Sequence, residues 1–160
     1  MTSSPVEGGC GCGAVRYRVT GTPLFVHCCH CTWCQRETGS AFALNAMIES
    51  SLLETLSGAP ETVDTPSASG RGQKIVRCPQ CRVAVWSHYG ASGKAIAFVR
   101  VGTLDDQHVM APDVHIYTST RRPWVHLADG APVFEAFYDP RVSWPPQVMG
   151  RYQAARSAES

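Results

Sequence analysis

Gly8-Gly9-Cys10-Gly11-Cys12-Gly13 sets two thiols one residue apart among glycines, and Cys78-Pro79-Gln80-Cys81 sets two more with two residues between them. Spacers of this length let a turn aim both sulfurs at one ion, each about 2.3 Å away. The glycines beside Cys10 and Cys12 permit the backbone conformations that such a knuckle needs. Between the pairs lies a triplet, Cys29-His30-Cys31-Thr32-Trp33-Cys34, with Cys28 directly before it. A structural zinc takes four ligands and leaves no opening. The two pairs supply four; the triplet and one pair would supply five. The economical partition puts Cys10, Cys12, Cys78 and Cys81 around one zinc, and Cys29, Cys31 and Cys34 around a second. The closed centre ties the N-terminal strand to a hairpin far along the chain, and its binding energy is folding energy. Iron is the main rival for four thiolates.

The triplet has a vacancy, and three protein ligands with an exchangeable fourth position characterise catalytic zinc. Cys28, His27 and His30 are the side chains near enough in sequence to close it. Cys28 adjoins Cys29, however, and neighbours on an extended chain point to opposite faces. Three anionic sulfurs make the metal a weak Lewis acid toward water but suit it to another thiol, which zinc deprotonates on binding. Such a thiolate adds to an aldehyde carbonyl to give a thiohemiacetal. The expected chemistry is therefore that of a sulfur substrate rather than hydrolysis of an amide or phosphate.

The remainder of the 160 residues sets the frame. The length predicts a single domain with a real core. Lys plus Arg number 14 against 13 Asp plus Glu, a net charge of +1, which offers no basic field for nucleic acid or anionic lipid. No apolar run is long enough for a membrane span. Met1-Thr2-Ser3-Ser4-Pro5 carries no signal-like segment, so the expected location is cytoplasmic. There the thiol buffer keeps cysteines reduced, which favours metal ligation over disulfides.

Helix signals are few. Strands are expected over residues 16–19, 24–28, 42–48, 61–65, 74–77, 83–88, 95–101 and 114–117, with an exposed loop at 66–72 and a hairpin connection at 89–93. One short helix is expected from Thr32 to Thr38, ending at Gly39. This pattern predicts a mostly β domain spanning 1–160, with its core at about 8–137. Residues 1–7 and about 145–160 are expected to be loose, the latter with a short helix as an alternative. The glycines at 8, 9, 11 and 13 miss the dinucleotide-loop spacing. A zinc deaminase needs a His-x-Glu that the sequence lacks.

Three segments together resemble the glutathione-dependent formaldehyde-activating enzyme family. They are Gly8–Tyr17, the run Cys29-His30-Cys31-Thr32-Trp33-Cys34-Gln35-Arg36-Glu37-Thr38-Gly39-Ser40, and Cys78–Cys81. Gly102–Asp106, His115 and Arg122-Pro123-Trp124 are weaker matches. The resemblance implies an Mss4-like β-tent, several small antiparallel sheets stapled by zinc. It also implies two zinc ions: Cys10, Cys12, Cys78 and Cys81 hold the structural one, and Cys29, Cys31 and Cys34 the catalytic one. The implied reaction is carbon–sulfur lyase chemistry joining glutathione and formaldehyde into S-hydroxymethylglutathione, and its reverse. The family usually has Gly after the final cysteine, where this chain has Arg82, and an aromatic before the last pair, where it has Arg77.

Glutathione carries two carboxylates, which a cation near the triplet would receive by paired hydrogen bonds. Arg36 and Arg71 are the candidates, with a solvated surface role as the alternative for each. Trp33 is a candidate pocket wall or core residue, Trp124 a core or rim residue, and His115 and His126 candidate general acids, with a structural role as the alternative for each histidine. A different class of function is a zinc-stabilised binding module acting on a protein partner without chemistry.

Overall fold

The computed structural model describes residues 4–106, 108 and 110–159. Ten strands run in chain order: Val6–Gly9 (β1), Arg16–Val19 (β2), Phe25–Cys29 (β3), Ala43–Glu49 (β4), Leu53–Ser57 (β5), Glu61–Thr65 (β6), Gln73–Arg77 (β7), Ala84–Tyr89 (β8), Ile96–Arg100 (β9) and Val114–Ile116 (β10). The helices are Thr32–Thr38 (α1), Pro140–Ser143 (α2) and Pro146–Glu159 (α3), with three single 3₁₀ turns. The fold is mostly β. A three-stranded antiparallel sheet has the order β1-β2-β5, and a seven-stranded sheet the order β10-β3-β4-β9-β8-β7-β6. The larger sheet is mixed, because β10 lies parallel to β3.

The two faces of the large sheet have different fates. Val26, Ala46, Val99, Trp86 and Val76 are paired in register across five strands. This row is buried under Val15, Tyr17 and Val19 from the strand β2 region of the small sheet. Tyr17 meets Trp86 edge to face, at 5.7 Å between ring centroids, a geometry that adds about 1 kcal/mol beyond area burial. Because side chains alternate along a strand, the next row, His27-Asn45-Arg100, faces the other way. That second face is where the cavity described below opens.

The N-terminal end departs from expectation. Val6 and Glu7, expected in a loose arm, belong to β1, whose Gly8 and Gly9 are poor strand formers in sequence terms. Gly8 is required by close approach: a Cβ there would stand 2.5 Å from the Thr103 carbonyl oxygen and 2.7 Å from the Tyr17 ring. The tail from about 145, expected to be loose or to hold a short helix, forms the 14-residue α3. Tertiary contacts fix it. Arg151 pairs with Glu49 at 2.7 Å, the Glu159 carboxylate accepts the Lys94 and Ala95 backbone N–H groups at 2.8 Å, and Tyr152 packs edge-on against Trp144.

Candidate active site

The triplet is assembled by a strand-to-helix turn. Cys29 ends β3, Cys31 caps the N-terminus of α1, and Cys34 follows one turn later. The Cys31 sulfur accepts the Cys34 backbone N–H at 3.3 Å, and Gly39, in the left-handed region at φ 64°, ends the helix. The three sulfurs lie within 4.8 Å of one another, and among the described residues no fourth Cys, His, Asp or Glu joins them at that spacing. All are free thiols, with Cys29 and Cys34 buried and Cys31 partly so. Hydrogen bonds from Cys29 and Cys34 draw the Cys31 thiol down to about 2, and the same contact with Cys31 pushes Cys29 up. A helix N-terminus also favours a thiolate. Three converging sulfurs, with Cys31 the one drawn toward the thiolate, are a donor set that fits a borderline-soft cation.

The two pairs converge as well. Cys10, Cys12, Cys78 and Cys81 form a second group within 4.8 Å. Cys10 Sγ stands 3.5 Å from Cys12 Sγ, and Cys12 Sγ 3.7 Å from Cys78 Sγ. The edge of a zinc–thiolate tetrahedron is about 3.8 Å, so this set also fits a metal ion. Arg82, in the position after the final cysteine, sits at φ 64°, where a glycine is unstrained. Arg77 forms an ion pair with Glu37 of α1, linking the hairpin of one cysteine group to the helix of the other.

Beside the triplet lies a cavity of about 320 Å³. Its floor is the His27-Asn45-Arg100 face of the sheet with Cys29, Cys31 and Cys34; rings from several elements wall it. Trp33 is among them. Arg100, 7% exposed, donates to Asn45 Oδ1, and its charge acts on Cys34. His27, 4% exposed, is held down at about 4 by burial and is neutral at pH 7. Trp144 Nε1–H donates to the Tyr138 hydroxyl at 2.6 Å, and that hydroxyl meets His27 Nε2 at 2.7 Å. The other ring nitrogen, Nδ1, is buried and has no protein partner.

The other candidates fall elsewhere. Arg36 is exposed on α1 and Arg71 lies in a separate surface cavity with Lys74 and Lys94; neither lines the cavity at the triplet. Trp124 is 70% exposed, and His126 is exposed. Cys28 points away from Cys29, to the opposite side of β3. There it meets His30 Nε2 at 3.5 Å; His30 Nε2 meets His115 Nδ1 at 3.0 Å, and His115 Nε2 meets Asp129 at 2.8 Å. His30 and His115 are thus committed to each other, away from the cavity. Arg100 was not legible as a site residue, because only strand register brings it beside the triplet.

The glutathione-dependent formaldehyde-activating enzyme family matches residues 5–120. The chain belongs to this family. The match takes in the triplet and both cysteine pairs, and it ends before Phe137, Pro140, Trp144 and Tyr152, which line the cavity from beyond it. A solved structure of a Rhodobacter sphaeroides protein is similar at 21% identity, covering 80% of this chain and 98% of that one, with a TM-score of 0.49. No curated protein matches the chain. Among the described residues no helix is long and apolar enough to cross a membrane.

Proposed function

We propose that this family member is a zinc-dependent enzyme of carbon–sulfur chemistry. It joins a thiol, with glutathione the first candidate, to formaldehyde or a related small carbonyl, giving an S-hydroxymethyl adduct, and runs the reverse. The observation that carries the reading is the convergence of three sulfurs, without a fourth protein donor among the described residues, at a largely apolar cavity. Cys29, Cys31 and Cys34 would hold the catalytic zinc, and Cys10, Cys12, Cys78 and Cys81 the structural one. Zinc held by three thiolates supplies a site where a thiol loses its proton at neutral pH.

The chain's own residues do the rest. Arg100 offsets the negative charge of the three thiolates from within hydrogen-bonded contact with Asn45. The aromatic walls exclude water, which strengthens every charge interaction inside. His27, neutral and hydrogen-bonded through Nε2 to the Tyr138 hydroxyl, lines the cavity as a fixed polar group.

The test is Cys31→Ser. Metal analysis is expected to fall from two zinc ions per chain to one, with thiol–formaldehyde adduct formation lost and the circular dichroism of the folded protein kept. Two zinc ions retained by Cys31→Ser would remove the assignment of the triplet. Two zinc ions in the parent protein that stay indifferent to added thiol would point instead to a zinc-stabilised binding module.

A further inference from the structure

We propose that the cavity at the triplet selects a partner with an apolar, ring-sized body and at most one carboxylate, in preference to glutathione. The inference rests on the thiol–carbonyl reading above and names the class of partner for that same site.

Three observations carry it. The first is size. Formaldehyde is close to a water molecule in bulk, and water's share of liquid volume is about 30 Å³. A cavity of about 320 Å³ is therefore shaped for the body of another partner. The second is charge. Glutathione brings two carboxylates and an ammonium. Cysteines apart, the charged residues at the cavity are, among the described residues, Arg100 and Glu37. Glu37 is already paired with Arg77. Three thiolates outweigh a divalent zinc by one negative charge, and Arg100 stands beside them as the sole cation of the lining. A second carboxylate drawn inside would be left unpaired, which is costly in a water-poor site. Arg36 and Arg71 lie outside this lining.

The third observation is the wall itself. Phe98 and Tyr89 stack edge to face at 4.7 Å on the sheet side. Facing them, Phe137, Trp144 and Tyr152 come from the chain beyond the family match. This part of the wall is apolar, and apolar contact is what it can offer a partner. The body it fits is an aromatic or branched group, carried by the thiol or by the carbonyl.

Calorimetry on the zinc-loaded full chain tests the inference, with benzyl mercaptan, 3-mercaptopropionate and glutathione as thiol probes. Benzyl mercaptan is expected to bind at least roughly tenfold more tightly than glutathione, the scale of burying one ring. Phe137→Ala, at a side chain already 48% exposed, and Tyr152→Ala are each expected to shrink that ratio several-fold while two zinc ions remain bound. A parallel arm compares benzaldehyde with acetaldehyde in the presence of 3-mercaptopropionate. A ring preference there, and not among the thiols, assigns the apolar body to the carbonyl partner and keeps the inference. Glutathione ranking first among thiols with no ring preference among aldehydes overturns it and leaves the thiol–carbonyl reading standing. In whichever arm the ring preference is found, a preference unmoved in both variants overturns it too. If no thiol binds the loaded protein, the underlying reading fails, and this inference fails with it.

Discussion

At the scale of single residues, Arg82 shows how a local departure is accommodated. Its φ of 64° lies in the left-handed region, where a side chain with a Cβ costs roughly 1–2 kcal/mol. Its compensation is an ion pair with Glu61 that is largely open to solvent, and such pairs contribute about 0–1 kcal/mol. Arg82→Gly is therefore expected to stabilise the protein by about 1 kcal/mol. In a chain of this size that is a rise in Tm of roughly 2–4 °C, measured by thermal unfolding of the zinc-loaded form. An unchanged or lower Tm would mean that the Glu61 pair outweighs the strain. The same scale explains what the sequence discloses about the site. The cysteines are legible because their spacers are local and ligand geometry restricts them. Arg100 is not, because its place beside Cys34 depends on the pairing Asn45–Arg100 across β4 and β9. His30 and His115, 85 positions apart, meet only because β10 lies parallel to β3.

At the scale of elements, the segment after β10 is the part that sequence reading leaves open. It has little regular structure of its own, yet it is pinned along β10. His115 N donates to the Pro132 carbonyl at 2.8 Å, and Phe134 N to the His115 carbonyl at 2.9 Å. Asp129 is its anchor, accepting from His115 Nε2 at 2.8 Å and from the Ala131 backbone N–H at 3.2 Å. The His115 contact holds the Asp129 carboxyl below its ordinary value of 3.8. A carboxyl depressed in the folded state contributes stability above that ordinary value and loses it as pH falls through the depressed one. Asp129→Asn is thus expected to lower Tm at pH 7, and the gap from the parent protein should close as the pH is taken below 3.8. A gap that persists unchanged in acid would show that the carboxylate charge is not what anchors the segment. Strands such as β3, β4 and β9 were legible as short apolar runs between Gly and Pro turns, and β2 by a weak alternation, whereas β1 and the largely exposed β5 were not. Helix α3 was legible only as one of two readings of the tail, since scattered contacts with Glu49, Lys94 and Trp144 rather than an apolar stripe hold it.

At the scale of the whole molecule, the two cysteine groups stand in different relations to the fold. The four-cysteine group joins the β1–β2 connection to the β7–β8 connection, across 66 positions between Cys12 and Cys78. It therefore links the small sheet to the large one at the edge of their shared core, where Cys78 is fully buried. The triplet lies within one stretch of six residues, on the opposite face of the large sheet, and closes no long loop. A structural zinc in a small domain contributes about 10–16 kcal/mol on binding, against a net stability of about 5–15 kcal/mol for a typical domain. Loss of the first ion should consequently unfold the protein, and loss of the second should not. Cys78→Ser is expected to give insoluble or unfolded protein, whereas Cys31→Ser remains folded. A chelator titration followed by a zinc-responsive dye and by circular dichroism should resolve two stages. One ion leaves with the ellipticity intact, and the other leaves together with the fold. Release of both ions in a single step, with structure lost from the start, would show that the triplet also holds the sheets in place, and the Arg77–Glu37 pair between the two groups would be the contact to examine for that coupling.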